Sequence, residues 1–291
     1  MISNTNDGTR RKPYLRTDFN MGCLASLPEW SSGPRGDLRR IYSAIKEAQY
    51  QGVQGGDIAL CRELGLGVTG GGRVNKVGEI EPLAKQWQDE GLECATLHVG
   101  WGMEDDDEVL RLVEDVLQAS EKTSLPLYIE THRATITQDI WRTVQMVQKL
   151  PDVRFNGDFS HWYTGLEMVY GDFDDKFRFI EPVLDRVRFF HGRIGNPGSM
   201  QVSVNLEQQQ PYVDHFRKLW TRSFVGFLKS ARPGDYICFA PELLHPEIYY
   251  ARVFPGSDGR LREESDRWEQ ALVLTRIAKE CFAAAEQIQI H

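Results

Sequence analysis

The feature that most constrains this chain is an alternation of short apolar segments with longer segments of helical periodicity, repeated along almost its whole length. The short segments are rich in β-branched and aromatic residues, as strands are, and the longer ones carry an apolar stripe, as amphipathic helices do. In the helix predicted over 105–121, for example, Val109, Leu112, Val113 and Val116 share one face. Such alternation predicts a parallel sheet covered by helices.

The boundaries follow from the same pattern. The predicted strands cover 18–24, 51–55, 65–70, 93–99, 127–132, 153–159, 187–194 and 236–242. The predicted helices cover 37–50, 58–64, 79–90, 105–121, 137–150, 176–184, 212–229 and 264–288. Eight strand–helix pairs close a (β/α)8 TIM barrel, which is the α/β fold that we predict. An open doubly wound sheet is the alternative, but no GxGxxG motif follows the first strand.

No linker or low-complexity segment interrupts the pattern, so we expect one domain over 1–291, with 1–14 as a flexible N-terminal tail. The net charge of −8 disfavours nucleic acid as a partner, because that binding depends on basic residues. No apolar run reaches the roughly 20 residues of a membrane span, and the N-terminus does not resemble a signal peptide. Five cysteines without CxxC spacing are typical of a reducing compartment, so we expect a cytoplasmic protein.

Polar residues close the last four predicted strands, where a barrel carries its chemistry. These residues are Glu130, Asp158, His191 and Glu242. Three carboxylates converging in one barrel mouth would repel one another unless a cation lay between them. The sequence therefore predicts one divalent metal ion held by these four residues. The oxygen-rich set with one imidazole favours Mn²⁺, Mg²⁺ or Co²⁺, and Zn²⁺ or Fe²⁺ would also suit it.

These strand endings, together with the Asp-x-x-His pattern of Asp158 and His161, resemble those of the xylose isomerase-like barrels. That superfamily includes sugar isomerases, ketose 3-epimerases, inosose dehydratases and apurinic endonucleases. The resemblance implies that Glu130 and Glu242 also act as the catalytic acid/base pair. It further implies that His161 and Arg193 hold substrate oxygens, although Arg193 follows His191 more closely than in the epimerases. The loop after the eighth strand, 243–260, is longer and more aromatic than the resemblance predicts.

Other residues near the strand ends are weaker candidates for substrate binding. Trp101 and Trp162 could pack against a sugar, or simply fill loops of the barrel. His98 could bind substrate or metal, and His132 could orient a metal ligand from behind. The run Gly70–Gly72 followed by Arg73 could hold a phosphate or carboxylate, although a tight turn is the simpler interpretation.

The function that we predict is a divalent-metal-dependent sugar or polyol isomerase or epimerase, working by proton transfer next to a metal-polarised carbonyl. An inosose-type dehydratase shares the first step and is the main alternative. A DNA repair endonuclease would need more metal-binding histidines and a basic surface. A non-catalytic sugar-binding protein would not need both Glu130 and Glu242. The expected partner is a small carbohydrate, with no nucleic acid or membrane, and the resemblance implies a homo-oligomer, either a dimer or a tetramer.

Overall fold

The computed structural model describes residues 1–290, with side chains through residue 289. Eight parallel strands form a closed ring, in which each strand pairs with the next and the last pairs with the first. The strands are β2 (Tyr14–Asn20), β3 (Gly52–Gln54), β4 (Gly67–Val74), β5 (Ala95–Val99), β6 (Leu127–Glu130), β7 (Phe155–Asn156), β8 (Val187–Gly192) and β9 (Asp235–Pro241). The prediction of a single-domain (β/α)8 barrel is therefore confirmed.

Helices surround the ring and bury their apolar faces against it. They are α1 (Leu38–Glu47), α2 (Ile58–Glu63), α3 (Ile80–Glu90), α4 (Asp106–Thr123), α5 (Ile140–Lys149), α6 (Ser160–Gly165), α7 (Phe173–Leu184), α8 (Pro211–Leu228) and α9 (Arg267–Ile290). The apolar stripe of α4 is buried as predicted. None of the helices in residues 1–290 combines the length and the apolar character that crossing a membrane requires.

Aspartates fix where several helices begin. The side chains of Asp37, Asp57, Asp105 and Asp139 each accept a hydrogen bond from the backbone N–H three residues later. Such caps satisfy N–H groups that the first turn leaves without partners. At α4 the cap is reciprocal, because Glu108 bonds back to the N–H of Asp105. The helices therefore begin within a few residues of their predicted positions.

The N-terminal segment does not form the flexible tail that we expected over 1–14. Its strand β1 (Thr5–Asn6) pairs antiparallel with β9, and β2 already begins at Tyr14. Ile2 is 1% exposed, and Thr5 bonds to the hydroxyl of Tyr128 on β6. The apolar burial of Ile2 and these hydrogen bonds hold the segment against the N-terminal end of the barrel.

Three more local differences concern the C-terminal ends of strands. The first barrel strand ends at Asn20, and Met21–Leu24 forms a 3₁₀ turn because the side chain of Asn20 accepts from the N–H of Gly22. Strand β7 is shorter than predicted and is soon followed by α6, which we did not predict. The long loop after β9 contains a hairpin of β10 (Val253–Pro255) and β11 (Leu261–Glu263). All five cysteines are unpaired and buried.

Candidate metal centre

The four predicted ligands meet at the C-terminal end of the barrel. Glu130 ends β6, Asp158 follows β7, His191 lies in β8 and Glu242 follows β9. One ligand atom from each lies within 4.8 Å of the ligand atoms of the other three. Nδ1 of His191 is 3.0 Å from Oε2 of Glu130 and 3.4 Å from Oε1 of Glu242. Parallel strands thus bring together residues up to 112 positions apart in the sequence, from Glu130 to Glu242.

Hydrogen bonds from other strands of the barrel orient these side chains. His191 directs Nε2 toward Oε1 of Gln54, at 2.9 Å, which leaves Nδ1 facing the carboxylates. The amide of Asn156 donates to Oε2 of Glu130 and accepts from the backbone N–H of His191. Asn20 in turn donates to Gln54. Such outer partners fix the ring orientation and the tautomer of a metal-binding histidine.

Gln54 and Asn20 also belong to the site, although the sequence did not lead us to expect them there. Both end strands of the barrel, Asn20 on β2 and Gln54 on β3, at the same end of the barrel as the four predicted ligands. The same rule of strand endings would have selected them. The carboxylates were identified because their mutual repulsion calls for a cation. Amides carry no charge and do not repel one another, so the same reasoning does not identify them.

The charges of the cluster are strongly coupled. Burial lowers the pKa of His191, but the attraction of Glu130 and Glu242 outweighs it and raises that pKa to about 9. Burial alone would raise the pKa of Glu130, yet His191 and His98 hold it well below its ordinary value. Burial raises the pKa of Asp158 to about 6, against the attraction of Arg193. Near neutral pH the cluster thus contains ionised carboxylates around a protonated imidazole.

Arg193 lies inside this cluster. Its side chain is fully buried, forms an ion pair with Oδ2 of Asp158 and lies 3.2 Å from Oε2 of Glu242. The ring of Tyr250, from the loop after β9, covers the guanidinium at 4.6 Å. The resemblance had implied a contact with substrate oxygens, whereas in the structure the guanidinium neutralises two of the four predicted ligands. Tyr250 belongs to the loop after β9, which was expected from the sequence only to be unusually long and aromatic.

The donor atoms fit a divalent ion. Oε1 of Glu130 and Nδ1 of His191 are buried and form no hydrogen bond of good geometry, which is unfavourable unless another group satisfies them. A cation between them would satisfy both, and carboxylate oxygens with one imidazole suit Mg²⁺ and Mn²⁺. Asp158 is the ligand with least freedom, because Ser160 binds Oδ1 and Arg193 binds Oδ2. This cluster of acidic residues and histidine could therefore hold a metal.

Three histidines form a row beside the cluster. The ring centroids of His98 and His132 are 4.1 Å apart, and those of His132 and His161 are 3.8 Å apart. His98 contacts Glu130 at 3.2 Å, and His161 lies 3.2 Å from Arg193. Burial lowers the pKa of His132 to about 4 and lowers that of His161 as well, so both rings are neutral near pH 7. His132 reaches the hydroxyl of Tyr250 at 3.4 Å and forms no hydrogen bond with a predicted ligand.

The two tryptophans have different surroundings. Trp162 is completely buried, packs beside Phe159 and donates from Nε1 to the carbonyl of Thr137. It is a packing residue in this structure, and the expectation that it contacts substrate is corrected accordingly. Trp101 is 51% exposed, and the guanidinium of Arg73 lies over its ring at 4.2 Å. Trp101 is accessible to a ligand, and its contact with substrate stays a prediction.

A cavity of about 540 Å³ opens onto the cluster. Glu130, His191 and Glu242 line it from one side, and the glycines of β4 with Arg73 line it from another. Its size suits a small molecule of a few ring atoms and substituents. Asp158, His161 and Arg193 are buried and do not line this cavity, and Tyr250 covers Arg193.

No protein-family model and no curated protein sequence matches this chain. Solved structures, in contrast, share its fold. A xylose isomerase-like TIM barrel protein from Mycobacterium smegmatis, in complex with magnesium, is 11% identical, with a TM-score of 0.55 over 95% of this chain and 98% of that one. A D-tagatose 3-epimerase-like protein is 9% identical, with a TM-score of 0.54 over 94% and 98%. The probable 3-DHS dehydratase AsbF from Bacillus anthracis is 14% identical, with a TM-score of 0.53 over 80% and 94%.

At such low identities the likeness establishes the fold. The resemblance to xylose isomerase-like barrels, inferred from four strand endings and one Asp-x-x-His pattern, is confirmed at that level. The structures that share the fold include proteins described as an epimerase-like protein and as a dehydratase.

Proposed function

We propose that this protein is a metal-dependent isomerase or epimerase of a small sugar or polyol. The observation that carries the proposal is the meeting of Glu130 and Glu242 on either side of His191, at the edge of a cavity sized for a small molecule. A pure binding site has no need of two carboxylates held this close together. An acid/base pair next to a metal-polarised carbonyl does need them.

The metal-binding residues in this proposal are Glu130, Asp158, His191 and Glu242. When bound, a divalent ion would make the carbon acid next to a substrate carbonyl easier to deprotonate. We propose Mn²⁺, Mg²⁺ or Co²⁺, because three of the four side chains offer hard oxygen atoms. The magnesium in the Mycobacterium smegmatis structure of the same fold supports an ion of this class.

Glu130 is the proposed base. Its low pKa keeps it ionised at neutral pH, and its Oε1 atom forms no hydrogen bond within the protein. Oε2 is fixed by Asn156 and contacts His98, so the carboxylate is held in one orientation. Glu242, whose side chain is 15% exposed at the cavity edge, would return the proton to the neighbouring carbon or to the opposite face. The first outcome is isomerisation and the second is epimerisation.

Dehydration is the second candidate. It begins with the same deprotonation and then loses a β-hydroxyl group, and a probable dehydratase shares the fold. Expulsion of hydroxide needs a proton donor at the leaving oxygen. His98 contacts Glu130 and lines the cavity, so it is the candidate donor for that step.

Incubation with ketoses and cyclic polyol ketones in deuterated water with Mn²⁺ tests the proposal. We expect solvent deuterium to enter the carbon next to the carbonyl, detected by NMR and mass spectrometry. Glu130→Gln should slow this exchange by about 100-fold or more, because it removes both the base and one anionic ligand of the metal while the shape is kept. Loss of 18 mass units, the mass of water, would identify a dehydratase. If neither deuterium exchange nor loss of water is detected with Mn²⁺, Mg²⁺ or Co²⁺, the proposal is contradicted.

A further inference from the structure

Strand β4 exposes an unusual stretch of backbone to the cavity. Gly71 is exposed although it lies within a barrel strand, and a Cβ atom there would come within 3.0 Å of the hydroxyl of Thr96. Side chains alternate along a strand, so Gly71 and Arg73 face the same side. Both residues line the cavity, and position 71 places no side chain in it.

Arg73 is held in place by a backbone carbonyl, an indole ring and an imidazole. Its Nη1 atom donates to the carbonyl of Gly100 at 2.6 Å, its guanidinium stacks on Trp101, and Nη2 is 3.4 Å from Nδ1 of His98. Within residues 1–290 the guanidinium contacts these groups and no carboxylate. A guanidinium has five N–H donors, so most of the N–H groups of Arg73 are free to donate to a ligand. The orientation of the guanidinium is already fixed by its contacts within the protein.

The other polar groups of the cavity bind to one another instead. Gln54 accepts hydrogen bonds from Asn20 and His191 and donates to Thr96. Arg193, which does not line the cavity, is covered by Tyr250 and paired with Asp158 and Glu242. Among the residues that line this cavity, Arg73 is thus the permanently charged cation that has no acidic partner. A partly enclosed, preoriented guanidinium is a favourable partner for a carboxylate or a phosphate group.

We propose that the substrate carries a carboxylate or phosphate group and that Arg73 binds it. The inference deepens the proposed function and rests on it, since it assigns the substrate class of the same cavity. His98 separates the two ends of the site: one ring nitrogen contacts Arg73 and the other contacts Glu130. In this proposal the imidazole ring of His98 lies between Arg73, which binds the anionic group of the substrate, and Glu130, the base. The width of that ring sets the distance between the substrate's charge and its reacting carbon.

Isothermal titration of the Mn²⁺-loaded protein with matched ligand pairs tests this assignment. One pair is shikimate and its methyl ester, and the other is fructose 6-phosphate and fructose. We expect the charged member of at least one pair to bind at least about tenfold more tightly than its neutral partner. A preference in the first pair identifies a carboxylate, and a preference in the second identifies a phosphate.

Variants then assign the preference to Arg73. Arg73→Gln should weaken binding of the charged ligand by about 10- to 100-fold and leave the neutral one unchanged. Arg73→Lys should keep part of the preference, because it retains the charge and loses the planar fork. Arg133→Gln is the matched control: Arg133 is exposed near Tyr250 and outside this cavity, so its loss should leave the preference intact. Unchanged melting temperatures would show that the variants are folded.

The inference is overturned if no charged ligand binds more tightly than its neutral partner, or if Arg73→Gln keeps the preference. These binding measurements need no turnover. A preference that depends on Arg73 without deuterium exchange would therefore contradict the proposed reaction alone. Exchange into neutral sugars with no charge preference would contradict the substrate assignment alone.

Discussion

The imidazole ring of His191 is the group whose protonation state most affects the charge of the site. Gln54 fixes one nitrogen, and the other faces two carboxylates that raise the pKa of the ring to about 9. The free protein therefore holds a proton at the position where a metal ion needs a lone pair. Metal binding and deprotonation of His191 are linked, because only the neutral imidazole is a ligand.

This linkage predicts how metal affinity depends on pH. Between about pH 6.5 and about pH 8.5 the affinity for Mn²⁺ should rise about tenfold per unit, with one proton released per ion bound. The range lies above the pKa of about 6 of Asp158 and below that of about 9 of His191, so one group dominates. Titration calorimetry in buffers of different ionisation enthalpy counts the protons. An affinity independent of pH over this range would contradict a protonated His191.

Arg193 is a second cation in the site, and a bound metal ion would compete with it for the same carboxylates. It pairs with Asp158 and Glu242, two of the proposed ligands. Arg193→Gln should lower the stability of the metal-free protein by about 3–5 kcal/mol, because it leaves buried carboxylates without their partner. The same change should raise Mn²⁺ affinity at least about tenfold, since a competing positive charge is removed.

Calorimetry and thermal denaturation, with and without Mn²⁺, measure the two effects together. Arg193→Lys keeps the charge and serves as the control, with metal affinity near that of the wild type. If Arg193 acts on substrate alone, Arg193→Gln will change neither stability nor metal affinity, and the account of its position is wrong.

At the scale of elements, the N-terminal segment closes one end of the barrel. β1 adds to β9, and Ile2 is buried, with its N–H bonded to the carbonyl of Asp152. Ile2→Ala should lower the free energy of unfolding by about 2–5 kcal/mol, as expected for a buried aliphatic side chain. Arg10→Ala, at an exposed position of the same segment, should have little effect. Urea denaturation measures both, and equal midpoints for Ile2→Ala and the wild type would indicate a segment that does not pack.

Sequence periodicity predicted the ring of strands and helices because each repeat buries one face. It also predicted which residues share the site, since parallel strands end at the same edge. The predictions were wrong where local patterns are short or depend on distant partners. β7 has only two residues, and β1 pairs with a strand some 230 positions later. The burial of Trp162 and the pairing of Arg193 depend on side-chain directions that the pattern of apolar residues does not determine.

The barrel as a whole brings residues that are far apart in the sequence together into one charged cluster. Three carboxylates come from three different strands, and no single helix or loop could bring them together. Such a cluster is unstable without cations, and His191 and Arg193 offset it only in part. The charge pattern and the cavity therefore support the central proposal, that this site binds one divalent ion.

Titration of chelator-treated protein with Mn²⁺ tests that claim most directly. We predict one ion bound per chain in the wild type, and binding at least about 100-fold weaker in Asp158→Asn and in Glu242→Gln, because each loses an anionic ligand. Glu247→Gln, an exposed carboxylate on the loop after β9, should bind as the wild type does. No ion bound by the wild type, or equal affinity in all four proteins, would contradict the account.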